Sequence, residues 1–269
     1  MVDESSDSLR TFGAVVQALR EHAGLSREEF AKGVQFSKHT VASVELGRRL
    51  PDVSFVERAE EITGGTGAIR KAVAHLVRQP GLAVWFRRWA QLERTAITLC
   101  TYDCRMVPGL LQTEAYVRAL AADQLPPIDD AQIEERWAAR MERQKLLVER
   151  PNTAFSFILE EYVFLRRTGG TDVTRELIGH VLEVAELRNV EIQVMPLVSP
   201  FHSGLQGPMR LLETPEFKWF AYSEGQESGQ LITDPKAISI LQRRYASMRS
   251  QALSPQDSVS LLKQMRGDL

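Results

Sequence analysis

The chain has 269 residues, of which 43% are hydrophobic and 25% are charged, and its formal net charge is −2. This composition is that of an ordinary globular protein, and the length suits a multidomain chain with ample material for a core. The sequence has no run of eighteen apolar residues, a polar and acidic start, and only two cysteines. These features exclude a membrane-spanning protein and a disulfide-rich scaffold, so we expect a cytoplasmic protein with reduced thiols.

The first 80 residues carry apolar side chains at helical spacing. Apolar positions recur at i, i+3, i+4 and i+7 before residue 23, and similar spacing returns after Pro51 and again near residue 69. The positions are Phe12, Val15, Val16 and Leu19, then Phe55, Ala59 and Ile62, then Ile69, Val73, Leu76 and Val77. Together with two helices in residues 25–51, they predict an all-α head of about five helices over residues 1–80, ending at Gln79-Pro80-Gly81.

Residues 25–51 predict two short helices joined by a tight turn. Ser26 and Glu29 have the spacing of a capping box, so a helix should start at Ser26. Ser37 is a good N-cap for a second helix, and Gly47 supplies the positive φ that often ends one. The inward positions would be Phe30, Ala31, Val34, Val41 and Val44. A helix-turn-helix of this kind can read DNA, whereas a helical hairpin that only packs is the alternative.

Hydrogen-bonding side chains occupy the outward positions of the second helix, and two arginines follow its end. The outward residues are Lys38, His39, Thr40 and Ser43, and the arginines are Arg48 and Arg49. Residues 1–80 contain eleven basic and eleven acidic residues, so the head is neutral overall and is expected to have modest non-specific affinity. Its DNA-facing surface is predicted to be net positive, because Lys32, Lys38, Arg48 and Arg49 are opposed there only by Glu45.

This segment resembles the Xre/Cro/C1-type helix-turn-helix. The matching residues are Leu25-Ser26, Glu28-Glu29, Ala31, Ser37, Thr40-Val41, Glu45, Gly47, Arg48 and Pro51. The resemblance implies a recognition helix in the major groove from about Ser37 to Glu45. Its contacts to base edges or nearby phosphates would come from Ser37, Lys38, His39, Thr40 and Ser43, and contacts to the DNA backbone from Arg27, Arg48 and Arg49.

The segment departs from the family pattern at two informative positions. Gln35 stands where a turn glycine is usual, which implies either a different turn conformation or a strained glutamine. Ser43 stands where an arginine is usual, which shortens the reach to the bases. A single head of this kind reads too few base pairs for genomic specificity, so we expect a homodimer on double-stranded DNA.

Residues 81–269 predict an α+β domain with a small mixed sheet. Its first helix carries Trp85, Phe86, Trp89, Leu92 and Ala96, with the tryptophans as core anchors, and Thr113 caps the next helix. A long helix follows from Asp129 to about Glu149, with Ile133, Trp137, Met141 and Val148 as its buried line. Strands are predicted at 155–160, 191–195, 209–212 and 219–223. Helices are predicted at 163–167, 174–187 and 238–248, and after Ser254-Pro255.

A separate line of the long helix carries Arg136, Arg140 and Arg143, and a glycine-containing loop carries His202. These residues would suit an anionic ligand or an acidic partner, although a charged helix face is more often only solvated. Gly64 to Gly67 follow a helix, so they predict a linker turn rather than a phosphate cradle. Cys100 and Cys104 lack a second pair of ligands nearby, and no catalytic motif occurs, so we expect no metal, no cofactor and no enzyme activity.

This second region resembles the C-terminal domain of actinobacterial Xre-like regulators linked to sporulation and antibiotic production. The matching segments are Trp85 to Glu93, Pro108 to Thr113 (PGLLQT), Arg136 to Gln144, Glu160 to Gly169, Val194 to Pro196, Tyr222 to Glu224 and Ala252 to Ser254. The resemblance implies a transcriptional regulator that associates with the nucleoid when bound to DNA. It also implies an alternative, an antitoxin-like protein that sequesters a small partner encoded by a neighbouring gene. An enzyme with a DNA-binding tag is a third reading.

Overall fold

The computed structural model describes residues 7–73, 82–83, 86–122, 124–199, 201–225 and 228–269. The chain divides into two compact units, the head (Met1–Arg78) and the second unit (Gln79–Leu269). Leu76, Val77, Trp85 and the expected boundary at Pro80-Gly81 lie outside the described residues. Within these ranges, no helix has both the length and the apolar character needed to cross a lipid bilayer.

The head consists of helices in its described part, as the apolar spacing predicts. They are α1 (Asp7–His22), α2 (Arg27–Val34), α3 (Lys38–Glu45), α4 (Val53–Ile62) and α5 (Ala68–Val73). One apolar core joins them, formed by Phe12, Val16, Phe30, Ala31, Val34, Val41, Val44, Phe55, Val56, Ala59 and Ile69. Phe55 lies at its centre, with edge-to-face contacts to Phe30 and Phe36 at ring-centroid distances of 6.1 and 5.4 Å.

The second unit is built on a six-stranded mixed sheet, which confirms the predicted α+β class. Its elements are α6 (Arg87–Glu93), β1 (Thr98–Asp103), α7 (Glu114–Ala122), α8 (Asp130–Gln144), α9 (Leu146–Glu149), β2 (Ala154–Glu160), α10 (Glu161–Leu165), α11 (Thr171–Val184), β3 (Val190–Met195), β4 (Met209–Glu213), β5 (Trp219–Glu224), β6 (Gly229–Ile232), α12 (Pro235–Gln251) and α13 (Pro255–Gly267). The strand order is β3-β2-β1-β4-β5-β6. Strand β1 pairs parallel with β2, as β2 does with β3, and the remaining pairs are antiparallel.

Helices cover both faces of this sheet. The face that we call the α6 face carries Leu99, Phe155 and Tyr222, and it packs against α6, α11 and α13. The opposite face, called the α12 face, carries Tyr102 and Ile158 under α12. Alternation along the strands therefore sends neighbouring residues to different cores. Trp89 is fully buried on the α6 face, which confirms its predicted place as a core anchor.

The structure of the second unit differs from the sequence predictions in two respects. Strands β1 and β6 were missed, and β1 is the strand that joins the parallel and antiparallel halves of the sheet. The predicted buried line of the long helix was also incorrect, because Met141 is 44% and Val148 68% exposed. Arg143 from the supposedly solvated line is buried instead. Its guanidinium donates to both carboxylate oxygens of Glu93 at 2.6 and 3.0 Å, which offsets the loss of hydration.

Candidate DNA-binding site

Side-chain caps fix the start of each helix of the predicted helix-turn-helix. The Glu29 N–H donates to Ser26 Oγ at 3.2 Å and the Ser26 N–H donates to the Glu29 carboxylate at 2.8 Å, which completes the expected capping box. Ser37 Oγ accepts the Thr40 N–H at 3.0 Å and so caps α3. Each cap satisfies donors that would otherwise be unpaired at the start of a helix.

The turn between α2 and α3 contains a non-glycine residue in the left-handed region. Gln35 has φ 58° and ψ 42°, so the strained glutamine is the alternative that the structure adopts. Its N–H donates to the Lys32 carbonyl at 3.2 Å, and the Phe36 N–H donates to the Ala31 carbonyl at 3.1 Å. A side chain in this conformation costs about 1–2 kcal/mol relative to the right-handed region.

Two glycines allow α1 to approach the end of α3 closely. A Cβ at Gly13 would lie 2.3 Å from the Glu45 carbonyl oxygen. Gly47 has φ 68°, as predicted, and a Cβ there would lie 2.7 Å from the Cα of Arg10. Because the backbones touch at both points, α1 sets the position of the C-terminal end of α3.

A buried ion-pair network, formed by Arg20, Arg27 and Glu45, connects α1, α2 and α3. The Glu45 carboxylate accepts from Arg20 Nε at 2.6 Å and from Arg27 Nε at 2.8 Å. The glutamate side chain is fully buried, so the expectation that it opposes the surface cations was wrong. Its carboxylate also raises the pKa of the Arg20 guanidinium, chiefly through the hydrogen bond.

This network bears on two sequence predictions. Arg27 was predicted to hold the DNA backbone, yet its Nε is engaged by Glu45, so its phosphate contact stays a prediction. Arg20 was not singled out at all. A signal for it existed, because Arg20 continues the i, i+4 line of Phe12 and Val16, and a charged residue on a buried line of a helix requires a partner.

The remaining predicted DNA contacts surround α3. Ser37, Lys38 and His39 are exposed at its start, and Thr40 and Ser43 are half-buried one turn apart. The N–H groups of Arg48 and Arg49 both donate to the Ser43 carbonyl, at 2.8 and 3.2 Å, so these residues wrap the helix end and remain exposed. Lys38 Nζ lies 3.9 Å from the Glu28 carboxylate, which also lies 3.7 Å from Lys32 Nζ.

The glycine-rich segment at 64–67 is a turn, and the backbone N–H groups at its end bind a carboxylate of the same chain. The buried Glu60 carboxylate accepts the N–H groups of Gly67, Ile69 and Arg70 at the start of α5, the last two at 2.9 and 3.1 Å. Burial works to raise the pKa of Glu60, but these hydrogen bonds outweigh it and leave the pKa lowered. The segment therefore caps a helix with a carboxylate, in keeping with the predicted linker turn.

The candidate ligand residues of the second unit lie on two different faces of its sheet. Arg136 and Arg140 are half-buried and Arg143 is buried beside α6. His202 is buried next to Tyr102 on the α12 face, with its Nε2 3.6 Å from the Glu160 carboxylate. The sheet separates it from the arginines, and the ligand or partner role expected of each stays a prediction. Burial raises the pKa of the free Cys100 thiol to about 11, and no cluster of metal-ligating side chains occurs in the described ranges.

Comparisons with known families agree with the division into two units. Residues 11–73 match the family described as a helix-turn-helix domain. Residues 86–264 match the family described as a domain of unknown function, DUF5753. No curated protein and no solved structure gives a significant match to the chain. The helix-turn-helix match indicates a DNA-binding protein.

Proposed function

The chain belongs to the DUF5753 family, and we propose that it is a sequence-specific transcriptional regulator that binds DNA through α3. The observation that carries this proposal is a capped, exposed recognition-type helix inside a matched helix-turn-helix domain. The buried ion-pair network at Glu45 and the close glycine contacts of α1 hold α3 rigid on the side that faces the rest of the head. A rigid helix can place short side chains against base edges with little loss of entropy on binding.

The side chains around α3 divide into two groups by their position, along the helix or at its two ends. Thr40, Ser43 and His39 are proposed to contact base edges, whereas Ser37, Lys38, Arg48 and Arg49 hold phosphates. We assign the head to the Xre type on the residues between Leu25 and Pro51 that match that pattern. The protein would then work in the cytoplasm on promoters, including those for development or antibiotic production.

A homodimer follows from the size of the recognition surface. One helix of eight residues contacts too few base pairs to select a site in a genome, and two heads on half-sites one helical turn apart multiply the selectivity. The second unit is proposed to join the protomers and to sense a ligand or partner.

The test is selection of binding sites from random DNA by the full-length chain, followed by affinity measurements on the selected site. Lys38→Ala and Arg48→Ala should each weaken binding and reduce the salt slope by about 0.9 log units per lost phosphate contact. Lys71→Ala on α5 removes the same charge from an exposed position of the same unit and should bind normally. Substituting Thr40 or Ser43 should change the preferred sequence. Undiminished binding by both Lys38→Ala and Arg48→Ala would contradict the assignment.

A second candidate function rests on exposed apolar side chains in the segment between β3 and β4. Leu197, Val198, Phe201 and Leu205 are each at least 60% exposed, and clustered exposed apolar side chains mark protein-binding surfaces. An antitoxin-like protein that sequesters a small partner would use such a segment, with DNA binding serving its own operon. Recovery of one small protein in equal amount from the native host, lost in Phe201→Ser and retained in the exposed Phe217→Ser control, would favour this function.

A further inference from the structure

The α6 face carries a group of arginines between α6, α8, β4 and β5, which we call the arginine cluster. Its members are Arg105, Arg136, Arg140, Arg143 and Arg210. Arg210 and Tyr222 are cross-strand neighbours on β4 and β5, and alternation places both on this face. The Arg143 Cζ lies 4.6 Å from the centroid of the Phe86 ring, and the Arg210 Cζ lies 5.3 Å from the same centroid. Helix α8 and strand β4, which are far apart in sequence, therefore each place a guanidinium group near the Phe86 ring.

Among the described residues, the carboxylates around the arginine cluster are too few to neutralise it. Glu93 is bound by Arg143 through two hydrogen bonds. Arg210 is shared between Glu224, at 3.0 Å, and Asp103, at 3.7 Å. Arg105 donates to the backbone carbonyl of Glu224 at 3.0 Å rather than to a carboxylate. In the part of the chain that the structure describes, five arginines thus face three carboxylates.

The uncompensated charge lies on α8. Arg140 donates to the neutral side-chain oxygen of Gln112 at 2.7 Å, and Arg136 donates to the amide oxygen of Gln124. Across the described ranges, neither guanidinium has a carboxylate within ion-pair distance. Burial lowers the pKa of Arg140 to about 10, with further lowering by Arg143, Arg136 and Arg210 that the Glu224 carboxylate opposes only in part. Partly buried cations in mutual repulsion favour the binding of an anion.

Buried polar atoms without hydrogen-bond partners lie in the same region. Among the described residues these atoms include Trp89 Nε1, Arg105 Nε and the Tyr222 hydroxyl. The Tyr222 side chain is 1% exposed, and its ring lies 5.5 Å from that of Trp89. Burial, followed by Glu224, raises the pKa of Tyr222, while Arg210 and Arg143 oppose that rise, so the hydroxyl lies among the charges of the cluster. Buried donors of this kind normally have a partner, and a bound ligand is one source of it.

We propose that the arginine cluster is a binding site for a small molecule with a carboxylate or phosphate group, which Arg140 and Arg210 hold and to which the Tyr222 hydroxyl donates. This specifies the ligand of the sensing role proposed above and rests on that role. A guanidinium group can only donate hydrogen bonds, and a hydroxyl donates one when it faces an oxyanion. A set of such donors therefore selects an anion.

The test is thermal unfolding of the full-length chain followed by tryptophan fluorescence, with inorganic phosphate or benzoate added at constant ionic strength. Trp85, Trp89, Trp137 and Trp219 are the four tryptophans of the sequence, so the signal reports on the second unit. A saturable rise in midpoint with either probe supports the site. A response to phosphate alone indicates a phosphate ligand, and a response to benzoate alone indicates a carboxylate ligand. No rise with either probe would overturn the proposal.

Three variants separate specific binding from general salt effects. Arg140→Gln should weaken the apparent affinity about tenfold or more, because a charge-assisted hydrogen bond is lost. Tyr222→Phe should also weaken binding, yet melt at an equal or higher temperature without anion, because it removes a buried hydroxyl that lacks a partner. Arg175→Gln removes an exposed positive charge from α11 and should respond as the unchanged protein does.

An equal response in Arg140→Gln, Tyr222→Phe and the unchanged protein would overturn the assignment. If Arg140→Gln fails to fold, Tyr222→Phe still decides between the outcomes. No DNA is present in this measurement, so a failure of the α3 variants to affect DNA binding would leave its result standing.

Discussion

Replacing Glu45 with alanine should destabilise the head by about 3–5 kcal/mol, because it leaves a buried charge without its partner. The Glu45 side chain is fully buried and accepts from Arg20 at 2.6 Å and Arg27 at 2.8 Å. The side chain of Arg20 is only 8% exposed, whereas that of Arg27 is 36% exposed and can regain water. Most of the loss therefore comes from Arg20, which keeps only its bonds to the Leu25 carbonyl and Glu21.

The expected loss is large relative to the stability of so small a unit. At roughly 0.1 kcal/mol per residue, a unit of the size of the head has a free energy of unfolding of about 8 kcal/mol. The alanine variant would retain about 3–5 kcal/mol of it. Because α3 ends at Glu45, DNA binding by this variant should fall at temperatures where the unchanged protein still binds.

Urea denaturation followed by two signals tests this expectation. Circular dichroism at 222 nm reports on the helices of both units, whereas all four tryptophans lie after residue 78 and report on the second unit alone. The dichroism transition should move to lower urea while the fluorescence transition stays in place. The matched control is the double variant Arg20→Met with Glu45→Leu, which removes both charges and should lie within about 2 kcal/mol of the unchanged protein. A loss of less than about 1 kcal/mol in Glu45→Ala would refute the reasoning.

Three further substitutions test other parts of the head. Gln35→Gly should stabilise the head by about 0.5–1 kcal/mol in urea denaturation, because relief of about 1–2 kcal/mol of left-handed strain exceeds the entropic cost of glycine. Destabilisation would show that the Gln35 side chain stabilises the head by more than its strain costs. Glu60 has a pKa lowered from 4.5, so its stabilising effect is complete above about that pH and is lost as the pH falls through the folded value. Glu60→Gln should therefore destabilise the head at pH 7 and reduce the amount of stability that it loses between pH 5 and 3. The same loss in the variant as in the unchanged protein would contradict this. Glu28→Gln should raise DNA affinity a few-fold in fluorescence anisotropy, since the exposed pairs with Lys32 and Lys38 add under about 1 kcal/mol of stability; weaker binding would count against the proposed DNA face.

Local signals account for the features that the sequence predicted correctly. Ser26, Ser37 and Gly47 each act within one turn of a helix, and their chemistry is fixed by neighbours three or four residues away. Apolar spacing likewise predicts the core of the head, because each helix there buries one continuous line of side chains. Such features need no knowledge of the rest of the fold.

Partners distant in sequence account for the errors. Arg143 is buried because of Glu93, fifty residues earlier, and Glu45 because of Arg20, twenty-five residues earlier. Strand β1 lies at an inner position of a sheet covered on both faces, so its side chains do not alternate between apolar and polar. The placement of His202 and the arginines on different faces depends on the strand order of the sheet, which periodicity alone does not fix.

The pairing of β1 with β4 has a consequence for synthesis of the chain. The last described helix of the head ends at Val73, whereas β1 cannot acquire its antiparallel neighbour before Glu213 has left the ribosome. At about 5–20 residues per second, that interval is roughly 7–28 seconds. A nascent chain therefore completes its proposed DNA-binding surface well before the sheet that is proposed to control it, and for that time the proposed control of DNA binding is absent from the growing polypeptide.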